Sequence, residues 1–489
     1  MLNHLSNHFN ETTTTNGAFA YKSTKSAVLD LFSQGGAMRQ NSDSEIVSLF
    51  SKAYAEDATL ALKTLFYLRD IKQGQGERKF FRLALKHLAV NNKASLVKNL
   101  HLIPQFGRWD DMWVLLETDV KESVATLVKR QLIADNKVEN PSLLGKWMPS
   151  ENTSSPQTKK YAKILRTQFG TTPKKYRKLL SSLRAKISLV ETKLTEGRYE
   201  DIAYDKLPAK AGMIYRGAFF RNDETRYKSF LDSLEKGEVK VNAGTLYPND
   251  IVSKIIDAGG YNVYGGRHNL SKQDIQLFDG QWNNLTDYIG EKKEDSIVMA
   301  DVSASMRGIP LSVSMALAVY IAERNEGAYK DHFISFSGRP QLIKLQGTNI
   351  VEKITNMPVI HEQNTNIELA LKTLLDVAVN NNVPKEEMVK KIYIISDMQF
   401  DSATRGTTNN IFGNMEKEFK RHGYDVPNIV FWNVNASGNT PMTMNSQGVQ
   451  LVSGFSPSIL TQLLNADGKT PYEFMLDVID SERYIEVTA

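Results

Sequence analysis

The spacing of apolar residues divides the chain into a helical part and a part in which strands alternate with helices. From Ser44 to about Val128, apolar residues recur every three or four positions, which predicts a series of amphipathic helices. Because such short helices cannot bury their apolar faces alone, we expect them to stack in pairs, as in a HEAT or armadillo solenoid. From Asp295 onwards, apolar strands alternate with helices, which predicts a parallel sheet covered by helices on both faces.

Two helices of the first part can be placed closely from their apolar residues. Asp57 is a suitable cap for a helix whose inner face includes Leu62 and Phe66, and a second helix is expected to begin near Glu77. At 100° per residue, four basic side chains of the second helix fall opposite its apolar face. They are Arg78, Lys79, Arg82 and Lys86. We expect this stripe to face solvent, either as a binding surface or as an ordinary solvated face.

The charges are distributed unevenly between the two parts. The net charge of the whole chain is +5. Residues 1–290 contain 42 basic and 31 acidic residues, whereas residues 291–489 contain 18 basic and 24 acidic residues. The first part therefore carries +11 and the second −6. A basic module followed by an acidic one is expected to have two different kinds of partner.

The strongest basic signal lies between Asn152 and Val190. This segment contains ten Lys or Arg residues and no Asp or Glu, whereas a segment of that length ordinarily contains about four acidic residues. The ten are Lys159, Lys160, Lys163, Arg166, Lys174, Lys175, Arg177, Lys178, Arg184 and Lys186. Thr172 and Pro173 predict the start of a helix with an inward seam from Tyr176 to Val190, so that every exposed face of the helix is basic.

Three interpretations of this basic segment remain open: polyanion binding, contact with an acidic protein, and a solvated surface. Polyanion binding is favoured because several phosphate contacts could form on neighbouring helices. Aromatic residues from Tyr161 to Tyr227, with Arg216 and Arg226 near them, could stack on RNA bases or could belong to the core.

Three polar clusters of the second part fall at strand ends or in nearby loops. Asp301-Val302-Ser303-Ala304-Ser305 follows the first strand, Asn364-Thr365-Asn366 precedes a helix, and Ser396-Asp397 follows a later strand. In a parallel sheet, ligands bind at the carboxyl ends of the strands. Hydroxyl oxygens combined with only two carboxylates suit Mg²⁺ or Mn²⁺ in a shell completed by water and an outside oxygen. The metal site predicted from these clusters consists of Asp301, Ser303, Ser305, Thr365 and Asp397.

This pattern resembles the metal-ion-dependent adhesion site of a von Willebrand factor A domain, over roughly residues 292–489. The resemblance implies that Ser303, Ser305 and Thr365 touch the metal directly. It also implies that Asp301 and Asp397 act largely through water.

Two positions depart from the pattern of that family. Ala304 stands where glycine is common, and Ser396-Asp397-Met398 replaces the usual Thr-Asp-Gly. Neither departure removes an oxygen ligand. Met398 is expected to alter the loop that a partner meets.

The order of a basic helical array and an A domain resembles the Ro autoantigen (TROVE) family of RNA-binding ring proteins. Three stretches look closer to an uncharacterised Ro-like branch known from plants, microbes and large viruses: Ser23 to Phe32, Arg69 to Arg78, and Ile103 to Asp111. The resemblance implies a TROVE-like helical domain over residues 1–290 and an A domain over residues 291–489. It further implies a ring that binds small noncoding or misfolded RNA at its hole and its basic outer surface.

The composition narrows the possible classes of protein. With 489 residues, 41% hydrophobic and 24% charged, the chain is long enough for two to four folded domains. It has no cysteine, which excludes disulfides and thiol nucleophiles. We expect no membrane span and no signal peptide, and a cytoplasmic protein or a virus-encoded one acting in the host cytoplasm.

We expect a scaffold rather than an enzyme. The sequence contains no HExxH or GxSxG motif, and both Asp301 and Asp397 would be committed to the ion, which leaves no evident general base. The favoured function is an RNA-binding scaffold of Ro type with a magnesium-dependent A domain. The alternative is a structural or assembly protein that uses the metal site to bind an acidic partner without RNA. The sequence decides neither the oligomeric state nor whether the ring is closed.

Overall fold

A computed structural model describes residues 8–261, 267–290, 295–326, 329–336, 340–358, 367–401 and 408–489. Within these ranges the chain is a mixed α/β protein with many helices in its N-terminal part and a mostly parallel sheet in its C-terminal part. No helix in the described ranges is long and apolar enough to cross a membrane.

The N-terminal part begins with a small hairpin and continues as helices. The antiparallel hairpin pairs β1 (Glu11–Thr13) with β2 (Phe19–Tyr21). The helices are α1 (Ala27–Gly35), α2 (Asp43–Glu56), α3 (Ala58–Arg69), α4 (Lys79–Asn91), α5 (Lys93–Asn99), α6 (Ile103–Phe106), α7 (Lys121–Lys137), α8 (Leu144–Trp147), α9 (Pro156–Gln168), α10 (Pro173–Ile187), α11 (Val190–Thr195), α12 (Ala209–Asn222), α13 (Glu224–Glu235), α14 (Pro248–Asp257) and α15 (Lys272–Asn283). A 3₁₀ helix covers Trp109–Glu117.

Local capping explains several of these helix boundaries. The Asp57 carboxylate accepts a hydrogen bond from the Leu60 amide and starts α3, as the sequence predicts. Thr172 accepts a hydrogen bond from the Lys175 amide and starts α10, with Pro173 in its first turn. The predicted seam of α10 is too long, however. The helix ends at Ile187, and Val190 begins the next helix.

The C-terminal part is built on one six-stranded sheet with the order β5-β4-β3-β6-β7-β8. The strands are β3 (Ser296–Asp301), β4 (His332–Phe336), β5 (Gln341–Lys344), β6 (Lys391–Ser396), β7 (Asn428–Asn433) and β8 (Val449–Ser453). All neighbours are parallel except β5, which pairs with β4 in the antiparallel direction at one edge. The helices of this part are α16 (Ile309–Arg324), α17 (Ile350–Thr355), α18 (Ile367–Asn380), α19 (Thr408–Arg421), α20 (Leu460–Leu463) and α21 (Pro471–Ile479).

Successive side chains of each strand point to opposite faces of the sheet, and both faces are buried. Val298 and Tyr393 point to the face that packs on α16 and on the N-terminal helices. Ile297 and Ile392 point to the opposite face, which α18 and α19 cover. Side chains on both sides are buried because helices lie on both faces, as predicted for a parallel sheet.

The helical part and the sheet share one hydrophobic core. α14 packs against α16, and α1 packs against β8, so the sheet contacts both the first and a late helix of the N-terminal part. The last residues also return to the helices, where Arg483 forms an ion pair with the fully buried Asp70. The two parts therefore form a continuous structure rather than two modules joined only by a linker.

Candidate metal site and basic surface

Two buried carboxylates lie at the carboxyl ends of adjacent strands. Asp301 ends β3, and Asp397 directly follows β6. These strands pair in parallel, with Ala300 opposite Ile395. Asp301 is 1% exposed and Asp397 4% exposed. This arrangement agrees with the sequence prediction, which puts the two clusters at the same edge of the sheet.

Hydroxyl and amide groups surround the Asp301 carboxylate. Its Oδ1 accepts a hydrogen bond of 2.9 Å from the Ser303 amide, and its Oδ2 accepts one of 2.7 Å from the Ser396 hydroxyl. The hydroxyl oxygens of Ser303 and Ser305 lie 3.0 Å apart. Ser303 is partly buried and Ser305 is exposed, so the two serines form the outer side of the cluster.

Asp397 is close enough to Asp301 to affect the ionisation of Asp301. Burial, and then the charge of Asp397, raise the pKa of Asp301 to about 6. Within the described residues, neither carboxylate forms an ion pair with Lys, Arg or His. Buried carboxylates are normally paired with a cation, so the missing charge compensation fits a bound metal ion.

The donor set restricts which metal would fit. No group of three or more His, Asp or Glu side chains is placed for metal binding in the described ranges. The oxygen atoms beside the Asp301 carboxylate belong instead to serine hydroxyls. Such hard oxygen donors with few charges suit Mg²⁺ or Mn²⁺. The predicted ligand Thr365 lies in residues 359–366, which are outside the described residues.

The loop after Asp397 is fixed by its own backbone and by the N-terminal hairpin. The Gln399 amide donates a hydrogen bond of 3.1 Å to Asp397 Oδ1. The Thr14 hydroxyl donates one of 2.6 Å to the Phe400 carbonyl, and Asn16 donates one of 2.7 Å to the Gln399 carbonyl. Met398 has a φ of +62°, in the left-handed region that glycine adopts readily.

A surface of free lysines lies on α9 and α10. We define this lysine surface as Lys159, Lys163, Lys174, Lys175 and Lys178. All five are exposed, and none forms a hydrogen bond or ion pair through its side chain with a described residue. The two helices adjoin at Glu151, which pairs with Arg166 of α9 at 2.8 Å and with Arg177 of α10 at 3.3 Å.

The other predicted basic residues of this segment are held by the protein itself. Arg184 donates to the carbonyls of Gly145 and Met148, and Lys186 donates to that of Asn136 at 2.8 Å. Lys160 forms an ion pair with Glu117. The acid-free composition of the segment therefore overstates the number of free cations, because acids and carbonyls from other segments reach it.

The predicted basic stripe on α4 is only partly free. Arg82 bonds to Asp110 and Asp111 at 2.8 Å, and Lys79 donates to the Asn41 carbonyl, so these two partly exposed side chains are held by the protein. Arg78 and Lys86 are exposed. The aromatic residues Tyr204, Phe219 and Tyr227 are buried against one another and belong to the core.

Family models match both parts of the chain. A model described as a domain of unknown function, DUF2828, matches residues 14–143 and 142–294, which is more than half of the chain. The chain belongs to the DUF2828 family. A second model, also described as a domain of unknown function, DUF7788, matches residues 295–484, which include the sheet and the carboxylate pair. Neither description states a ligand or an activity.

A viral relative matches nearly the whole of this DUF2828 chain. The uncharacterised protein L728 of Acanthamoeba polyphaga mimivirus is 28% identical over 511 residues, covering 96% of this chain and 87% of the relative. The similarity thus includes both the helical part and the sheet.

Two features of the candidate metal site are not predicted from sequence. Ser396 was recognised as part of a polar cluster, but its bond to Asp301 was not foreseen, although parallel pairing of the two strands would place it there. The contact of Thr14 with Phe400 spans 386 residues and leaves no local signal in the sequence.

Proposed function

We propose that this DUF2828 protein is a non-enzymatic RNA-binding scaffold of Ro type. Its helical part would be a HEAT-like array and its sheet a von Willebrand factor A-like domain. The observation that carries the proposal is the lysine surface, where five exposed side chains have no partner among the described residues. Such a surface suits the phosphates of a small noncoding or misfolded RNA.

The arrangement of the lysines favours a polyanion over a simple solvated face. Solvated helices usually mix charges of both signs and form ion pairs three or four residues apart. α9 and α10 contain no acidic residue, and Glu151, which bridges the two helices, is already bonded to Arg166 and Arg177. Lysines spread over two adjoining helices can contact several successive phosphates and release counterions at each.

The packing of the helical part supports a ring-like arrangement. α1 and α14, which lie near its two ends, both pack on the sheet domain. An A domain that joins the ends of a helical array is what the resemblance to Ro proteins implies. Whether the protein acts as a monomeric ring or as an oligomer is left to solution measurements.

The carboxylate pair adds a second binding function to the proposal. Asp301, Asp397, Ser303 and Ser305 would hold Mg²⁺ or Mn²⁺, with Thr365 as the further ligand implied by the family pattern. The ion would supply an open coordination position and residual positive charge, which favour a carboxylate or phosphate oxygen of a partner. The protein's own groups position that ion, and neither carboxylate remains free to act as a general base.

Charge reversal on the lysine surface tests the RNA proposal. The triple variant K163E/K174E/K178E should bind a short labelled RNA hairpin more weakly, with a log–log salt slope smaller by about 0.7–0.9 for each lost phosphate contact. The matched control K93E/K121E/K129E changes charge equally at exposed lysines that also lack partners in the described ranges. Fluorescence anisotropy at several salt concentrations measures both quantities.

The same measurement separates RNA binding from the alternative function. Equal loss in both triple variants would indicate a general effect of net charge, and no loss in either would exclude the lysine surface. A structural or assembly protein that binds only an acidic partner would purify without nucleic acid at low salt. Its ratio of absorbance at 260 and 280 nm would then be that of protein alone, which would contradict the RNA proposal.

A further inference from the structure

A polar cavity separate from the carboxylate pair and the lysine surface lies between the loop before α4 and the first turn of α14. Its volume is about 610 Å³. Six basic side chains line it: Arg39, Arg69, Arg78, Lys79, Arg108 and Lys210. Only two acidic side chains, Glu77 and Asp250, are found in its lining. The cavity is therefore suited to an anion.

Arg78 differs from the other cations of this cavity. Arg39 pairs with Glu77, Arg69 with Asp111 at 2.8 Å, and Lys210 with Asp250 at 2.9 Å. The Arg78 side chain has no hydrogen bond or ion pair with any described residue. Partial burial and the positive charges of Arg108 and Arg82 lower the pKa of Arg78. Its guanidinium therefore lies in a positively charged environment.

Uncharged groups in the same cavity also lack partners. Asn249 is 8% exposed, and its amide oxygen has no hydrogen-bond partner in the described parts of the chain. The Tyr247 hydroxyl likewise forms no hydrogen bond with a described residue. A buried amide oxygen without a partner is destabilising, and a hydroxyl or amine of a ligand would supply the missing hydrogen bond.

The backbone of the loop is shaped to form this cavity. Gly76 has a φ of +62°, and a Cβ at this position would collide with the Tyr247 hydroxyl. The Glu77 amide donates a hydrogen bond of 2.7 Å to the Leu68 carbonyl and fixes the loop against α3. Gly76 therefore allows the loop that carries Arg78 to approach Tyr247, and both Arg78 and Asn249 line the cavity.

We propose that this cavity binds the phosphate monoester of a small hydroxylated compound of the sugar phosphate class. Arg78 would donate two hydrogen bonds to the phosphate, a geometry that guanidinium groups provide and ammonium groups do not. The amide of Asn249 would bond to a hydroxyl group of the sugar. Neither group contacts the lysine surface or the carboxylate pair, so the proposal does not depend on RNA binding.

Calorimetry on the full chain with ribose 5-phosphate, inorganic phosphate and ribose tests this proposal. We expect ribose 5-phosphate to bind most tightly, phosphate more weakly and ribose not at all. Replacing Arg78 by Gln should weaken binding of both phosphate compounds roughly 10- to 100-fold, as expected for the loss of a charge-assisted hydrogen bond. Replacing Asn249 by Ala should weaken ribose 5-phosphate only. The matched control is K72Q, at an exposed residue of the same loop outside the cavity lining.

Several outcomes would overturn the proposal. Absence of ribose 5-phosphate binding to the unmodified chain would do so, as would equal affinities in R78Q and K72Q. If only a 5′-phosphorylated trinucleotide binds, the cavity recognises an RNA end rather than a free sugar phosphate. K163E/K174E/K178E should leave ribose 5-phosphate binding unchanged, which separates failure of this proposal from failure of RNA binding.

Discussion

The Ser396 hydroxyl donates a 2.7 Å hydrogen bond to Oδ2 of Asp301, which lies at the end of the neighbouring strand. The same hydroxyl accepts a bond of 3.1 Å from the Met398 amide. Ser396 is fully buried, so it is a positioning group that orients Asp301 and the following loop rather than a group open to a partner. This bond links the two clusters that carry the proposed metal site.

Replacing Ser396 by Ala should weaken Mg²⁺ binding by about 10- to 100-fold, the usual effect of losing a group that orients a metal ligand. The free energy of unfolding should fall by about 1 kcal/mol without metal. Calorimetric titration with Mg²⁺ and urea unfolding measure the two effects. The control is S335A, at a buried serine on β4 of the same sheet. Equal metal affinities in the two variants would contradict the role assigned to Ser396.

The double variant S303A/S305A should abolish Mg²⁺ binding with little effect on the stability of the metal-free protein. Both hydroxyls lie on the outer side of the site and bond to each other, so their removal leaves no buried group unpaired. The melting temperature of the unmodified protein should rise with added Mg²⁺, and that of the variant should not. S181A/S182A, at exposed serines of α10, is the matched control. A similar rise in all three proteins would remove these serines from the site.

Much of the sheet domain could be predicted from sequence because its strands are apolar and short. The apolar runs that begin at Ile297, Phe333, Ile392 and Ile429 each start within one observed strand. The sequence does not predict the strand Val449–Ser453 or the antiparallel edge strand Gln341–Lys344, which is mostly exposed and has no strong pattern.

The site was harder to predict where distant segments meet. Parallel order of the strands was enough to bring Asp301 and Asp397 together. Sequence alone could not show that Asp110 and Asp111 neutralise Arg82, because these acids come from a different helix. The charge pattern along one helix predicts which of its charged side chains are free only when no neighbouring segment supplies the opposite charge.

Replacing Met398 by Gly should destabilise the protein less than replacing it by Ala. Both substitutions lose the buried side chain, but only Ala keeps the strain of the left-handed backbone at φ +62°. That strain costs about 1–2 kcal/mol for a residue with a Cβ, so M398G should unfold at a higher urea concentration than M398A. The reverse order would mean that the loop changes conformation when the side chain is removed.

Asp30 should make the stability of the helical part depend on pH. Burial raises its pKa to about 6 from the ordinary value of 3.8, so its ionised form is disfavoured in the folded state. This penalty is absent below pH 3.8, grows as the pH rises to 6 and is then constant. D30N stays neutral and can still accept the 2.8 Å hydrogen bond from the Thr24 amide.

The free energy of unfolding of D30N, relative to that of the unmodified protein, should therefore rise by about 2–3 kcal/mol between acidic and neutral pH. Urea unfolding of both proteins across this range gives the difference directly. Parallel profiles for the two proteins would show that Asp30 ionises in the folded state as easily as in the unfolded chain.

The N-terminal hairpin should influence metal binding although it contributes no ligand. The Thr14 hydroxyl donates to the Phe400 carbonyl at 2.6 Å and accepts from the Ala18 amide at 2.9 Å, so it joins the hairpin to the loop that begins with Asp397. T14A breaks both bonds. A less restrained loop holds Asp397 in more positions, and we expect Mg²⁺ affinity to fall by about tenfold.

The neighbouring Thr13 supplies the control for T14A, because its side chain is exposed on the same hairpin. T13A should bind Mg²⁺ like the unmodified protein, while T14A should lose affinity more than it loses stability. A loss of affinity that simply follows the fraction unfolded would assign Thr14 a structural role only. Adding Mg²⁺ to saturation should restore the melting temperature of T14A towards that of T13A, since a bound ion holds Asp397 in place of the missing hydrogen bonds.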